Sequence, residues 1–131
     1  MVVKEPLTAD MIDAGEELIR KLDDLGVPTT AALWLFDPEV NDDWRLLFAS
    51  PDVGSKGPLH VYRQIQVALE QLGAKATGVP FLAIGLLDGN DDLVRRLRTA
   101  VQTGADVKRI RFSKRVAEGH YIEDALIYRV A

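Results

Sequence analysis

Eight of the nine charged residues between Arg95 and Arg115 are basic. Arg95, Arg96, Arg98, Lys108, Arg109, Arg111, Lys114 and Arg115 stand against Asp106 alone, a local charge of +7. If the segment around Arg109 is a strand, side chains alternate with period two, and Arg109, Arg111 and Arg115 share one face. Guanidinium groups are planar forks that suit carboxylates and phosphates, and they stack on aromatic rings. Such a face, with Leu126 and Tyr128 beside it on a partner strand, admits three readings. It is an ordinary solvated face with arginine stems covering apolar neighbours, a protein or dimer interface anchored by Arg and Tyr, or a nucleic-acid surface. The overall charge of −4 argues against the last.

A second candidate is Gly54-Ser55-Lys56-Gly57-Pro58, with His60 just beyond. It follows an expected strand and opens an expected helix. Free N–H groups at a helix start, two glycines, a hydroxyl and a lysine could hold an anion. The spacing is not that of a Walker A loop, and an ordinary N-terminal turn is the stronger reading.

Asp37, Glu39, Asn41 and Asp43 occupy alternate positions, as in a calcium loop. However, Asp42 stands where an EF-hand needs Gly, and Phe48 where it needs Glu, so a solvated turn is expected. Asp88, Asn90, Asp91 and Asp92 read as helix capping. His60 and His120 are isolated, giving neither metal spacing nor a triad. Ser50, Ser55 and Ser113 lie in no nucleophile motif. Asp52 and Glu70 have no spacing that marks a metal-dependent site. The expectation is no cofactor and no metal.

These side chains need a scaffold. Thr8 to Leu25 reads as a helix, with Ile12, Leu18, Ile19, Leu22 and Leu25 near one face. Thr8 caps it, Asp10 suits its dipole, and Gly26 and Pro28 end it. Thr30 to Phe36 is a short apolar run and reads as a strand. Trp44 to Ser50 is a second strand, with Trp44, Leu46 and Phe48 on one face and Arg45, Leu47 and Ala49 on the other. A long acidic loop joins the two as a hairpin. Pro51 to Gly57 reads as a loop, and a helix follows from Pro58 to Leu72, stopped by Gly73. Val79 to Leu87 is expected to be a third strand, central because it is apolar on both faces. A third helix carries Leu93, Val94, Leu97, Ala100 and Val101 inward and closes at Gly104.

Val107 to Ala117 and His120 to Val130 form a second hairpin about Glu118-Gly119. That turn sets a register. Lys114 then faces Glu123, Phe112 faces Ala125 and Ile110 faces Ile127. On the other face Arg111 meets Leu126, Arg109 meets Tyr128 and Arg115 meets Ile122. The order α-β-β-α-β-α-β-β implies one α+β domain over residues 1–131, a mixed five-stranded sheet packed by helices.

The 131 residues suit one domain with a real core. With 47% hydrophobic and 27% charged residues, disorder is excluded. The absence of cysteine excludes a disulfide scaffold, thiol catalysis and Cys-ligated zinc. Residues 1–6 do not resemble a signal peptide, and no apolar run approaches the roughly 20 residues that span a bilayer, so the expected location is cytoplasmic. Residues 1–60 hold 5 basic and 12 acidic side chains, and residues 61–131 hold 11 and 8. The mild average therefore conceals a dipolar chain. Its halves could attract another copy, attract an acidic partner, or neutralise each other within the fold.

Ala31–Phe36, then Trp44-Arg45-Leu46-Leu47-Phe48-Ala49-Ser50-Pro51, then Gly57-Pro58 and Tyr62, resemble a group of small bacterial single-domain proteins with no assigned activity. The resemblance covers the first half most clearly. It implies a bacterial single-domain protein and transfers no residue role. The functional expectation is a non-catalytic interaction module, a homodimer or assembly subunit using the C-terminal hairpin face, with protein or self as partner and no membrane. The alternative is an enzyme or binding domain for a phosphorylated ligand or nucleic acid, built on residues 51–58 and the basic segment.

Overall fold

Five strands form one mixed sheet, with helices on both of its faces. The computed structural model describes residues 5–40 and 42–131. Helix α1 is Ala9–Asp24, followed by strands β1 (Ala31–Phe36) and β2 (Arg45–Ser50). Helices α2 (Pro51–Lys56) and α3 (Pro58–Leu72) lead through two short 3₁₀ turns to β3 (Ile84–Asp88). Helix α4 (Asp92–Ala100) precedes the closing hairpin of β4 (Ile110–Ala117) and β5 (His120–Val130). The strand order is β3-β2-β1-β5-β4, with β2 and β3 parallel and the other neighbours antiparallel.

The helix ends follow from local chemistry. Thr8 Oγ1 accepts the Met11 N–H at 3.2 Å, and Gly26 turns the chain at φ 76° while Val27 N–H reaches back to Leu22 O. The stripe of α1 buries Leu18, Ile19 and Leu22 completely or nearly so. They meet Ala32, Trp34, Phe48 and Ile65 of α3 in the larger core. On the opposite face Leu97 of α4 packs with Leu33, Phe112, Ile122 and Ile127. The alternation of β2 is as its sequence implies, with Trp44, Leu46 and Phe48 in the first core and Leu47 in the second.

Three expectations about the middle of the chain are corrected. The segment 51–56 is a helix, not a loop: Ser50 Oγ accepts the Asp52 N–H at 3.2 Å and Pro51 opens the first turn. The third strand begins at Ile84, because Pro80 has no N–H for a ladder and its carbonyl instead accepts the Ala83 N–H in a 3₁₀ turn. That strand lies at the sheet edge, not its centre. Pairing with β2 on one side only, it leaves the central position to β1, between β2 and β5.

The ladder between β1 and β5 carries a bulge. Ala32 pairs with Arg129 and Leu33 with Ile127, so Tyr128 is the extra residue. As a result two consecutive side chains turn toward α1. The Tyr128 hydroxyl donates to Ile12 O at 2.6 Å and accepts from Trp34 Nε1 at 2.9 Å. The Arg129 guanidinium binds both carboxylate oxygens of Asp23 at 2.9 and 2.7 Å.

Burial raises the Tyr128 phenol well above its ordinary range. Its contribution to stability is therefore complete below the unfolded value near pH 10 and is lost as pH rises through the folded value, at up to about 1.4 kcal/mol per pH unit. Tyr128→Phe removes that dependence. Urea midpoints taken on both sides of pH ~10 should fall less in the variant than in the wild type, and parallel losses would refute the assignment.

Candidate interface on the C-terminal hairpin

The Glu118-Gly119 turn has φ 45° and 78°, both left-handed, as a two-residue turn of this class requires. It sets the register expected for Ile110–Ile127, Arg111–Leu126, Phe112–Ala125 and Arg115–Ile122. The ladder lacks the expected Lys114–Glu123 pair. Lys114 instead takes φ 50°, a conformation that breaks alternation. Beyond it the faces exchange: the Arg115 guanidinium lies 4.5 Å from the centre of the Phe112 ring, on the α4 side.

Four of the five residues expected to share one face do share it, but α1 covers most of it, and Arg115 lies on the other side. Leu126 and Tyr128 lie in the core beneath α1, 6% and 0% exposed. Arg109 bonds Asp13 at 2.9 Å and Glu16 at 3.0 Å, both on α1, and these carboxylates, Glu16 foremost, hold its guanidinium protonated even more firmly than usual. Arg111 grips Asp124 through two bonds of 2.7 and 2.6 Å and lies 5.5 Å from the centre of a Trp44 ring. Arg115 is on the opposite face. Only Arg111 of the five therefore remains half exposed on the α1 side of the sheet without a tie to α1.

Sequence alternation missed what the hairpin end does present. Val116 and Tyr121 are direct cross-strand partners, 61% and 55% exposed. Ala117, next in the chain, is buried in the second core, so alternation puts the Val116–Tyr121 pair on the other face. The Tyr121 hydroxyl donates to Glu123 Oε2 at 2.8 Å, and that bond keeps the phenol protonated to higher pH. A cleft of about 230 Å³ adjoins the pair, lined by Asp37, Glu39, His120 and Glu123 among others.

The remaining candidates fall elsewhere. Gly54, Ser55 and Lys56 lie within α2, Gly57 joins the two helices at φ 89°, and His60 is exposed in the first turn of α3. Acid accompanies them: a Cβ at Gly54 would come within 2.7 Å of Asp88 Oδ2, and Lys56 Nζ is 3.7 Å from Asp52. Asp91 caps α4 through the Leu93 N–H at 2.9 Å, and Asp88 accepts the Asn90 N–H at 3.2 Å. Asp92 binds Arg95 and Arg96, and its hydrogen bond from Arg96 lowers its carboxyl below the usual range. In the acidic loop Asp37 Oδ1 accepts the Glu39 N–H, and Asn41 lies outside the described residues. Among the described residues no group of three or more His, Asp or Glu is placed to hold a metal ion, and no helix is long and apolar enough to cross a membrane.

The acidic and basic halves do meet within the fold. Arg109 of β4 binds α1, and Arg129 of β5 binds Asp23. Comparisons with family models, curated proteins and solved structures find no match to this chain.

Proposed function

We propose that the chain is a protein-interaction module rather than an enzyme, self-associating or seated in an assembly through the outer end of its C-terminal hairpin. The observation that carries the reading is the exposed Val116–Tyr121 pair. Burying an aromatic and a β-branched side chain that already support each other across a ladder costs little ordering entropy. Arg111, fixed by Asp124 and Trp44, supplies a pre-organised guanidinium on the same side of the sheet. Lys114, Arg115, Glu118 and Glu123 surround the end with both signs of charge, as a self-complementary contact needs. The broken ladder at Lys114 disfavours simple strand-to-strand addition along β4, so the contact is through side chains.

A phosphate or nucleic-acid site draws less support. Most of the basic segment is committed to internal partners, and Gly54 faces a carboxylate. Sedimentation velocity on the wild type and on Val116→Asp/Tyr121→Ser tests the proposal. The wild type is expected to associate with rising concentration or to co-sediment with a defined partner, and the variant to remain a monomer. Both substitutions are at exposed positions and should together cost no more than about 1–2 kcal/mol, which leaves the variant folded. A wild type that stays monomeric at high micromolar concentration and binds no partner overturns the reading, as does a variant that associates equally well.

A further inference from the structure

The α4 side of the sheet is only partly covered. Val94 of α4 closes over Ala31 and Ala49, and Leu97 over Phe112 and Ile127. The opposite corner, where β1 ends and β2 begins, is left as a groove of about 190 Å³. Its floor is Leu35, Leu47 and Leu87, and its wall is Val40, 74% exposed at the turn of the first hairpin. The Arg45 side chain lies across Gly85, where a Cβ would come within 2.8 Å of its Nη2. Gly85 therefore keeps the floor low enough for the guanidinium to lie flat beside the groove. A sheet face buries its apolar side against another layer, and among the described residues no second helix covers this corner.

The charge around the groove is unequal. Among the described residues Asp37 and Asp43 line it with Arg45, and Glu39 and Asp42 stand in the same loop. An acidic rim around an apolar floor complements an apolar stripe flanked by lysine or arginine. We infer that this corner takes a basic amphipathic helix from a partner protein, its apolar stripe over Leu35, Leu47 and Leu87 and its cations beside the acidic loop. The groove shares Asp37 with the cleft beside Tyr121, but its floor of Leu35, Leu47 and Leu87 is no part of that cleft.

The probe is a synthetic 18-residue helix of leucine and lysine, with a leucine–glutamate peptide of the same pattern as its control. Binding to the full chain is read by calorimetry and by methyl NMR. The lysine peptide is expected to bind, to shift the methyls of Leu35, Leu47 and Leu87, and to weaken as salt is raised. Val40→Asp and Asp37→Lys, both on the surface turn, should each weaken it by about tenfold. Val116→Asp/Tyr121→Ser should leave it unchanged, which separates this site from the hairpin end. Equal binding of the two peptides, no binding of the lysine peptide, shifts confined to other surfaces, or retention of affinity in both loop variants would each overturn the inference.

Discussion

Gly15→Ala should destabilise the protein by about 2–3 kcal/mol, although alanine is the better helix former. Gly15 is buried in the middle of α1, where the helix crosses the sheet. A Cβ there would fall on the Tyr128 hydroxyl oxygen and within 2.9 Å of Trp34 Nε1. Neither atom belongs to a flexible chain that can swing away. Both rings are fully buried, and they are bonded to each other and to Ile12 O. The propensity gain of about 1 kcal/mol is therefore outweighed by displaced rings or a lifted helix. Urea unfolding measures the difference, and an alanine variant as stable as the wild type would refute the close approach. Tyr128→Phe in the Gly15→Ala background should recover part of the loss, because it removes the atom that collides. In the wild-type background Tyr128→Phe should destabilise, because it strands two buried hydrogen-bonding groups.

The ion pair between Arg111 and Asp124 should be asymmetric. The Asp124 side chain is 2% exposed and that of Arg111 48%. Arg111→Ala takes two charged hydrogen bonds from a buried carboxylate and should cost about 2 kcal/mol. Asp124→Ala leaves an arginine that still reaches water and still lies beside the Trp44 ring, at a cost of about 1 kcal/mol. Chemical denaturation of the two single variants and the double variant gives the order and the coupling. Equal losses, or a larger loss from Asp124→Ala, would show that solvent reaches the carboxylate.

Much of the scaffold could be read from residues with one strong preference. Thr8, Gly26 and Pro28 bound α1, and Pro58 and Gly73 bound α3, because caps and breakers act locally. Glu118-Gly119 is a turn whose left-handed angles set the register on either side. What escaped was the departure from period two. A bulge adds one residue to one strand and leaves no mark in composition. Alternation therefore could not show that Tyr128 and Arg129 both face α1, or that Arg115 faces away from Arg111. The break at Lys114 takes Arg115 off the expected arginine–tyrosine face and brings Val116 and Tyr121 onto it, while α1 covers Leu126 and Tyr128. Helix α2 was hidden by Gly54 within it and by Gly57-Pro58 just beyond it, although Ser50-Pro51 is a helix-start signal. The placement of β3 depends on which neighbour it finds in space, and nothing in its own residues specifies that.

The strand order also governs when this protein can fold during synthesis. β1 sits at the centre of the sheet, yet one of its two neighbours is β5, the 11 residues from His120 to Val130. Until those residues leave the ribosome, β1 presents an open edge, and Leu33 and Trp34 lack the partners that complete both cores. A nascent chain of this fold therefore carries its central strand with one edge uncovered until β5 has been made.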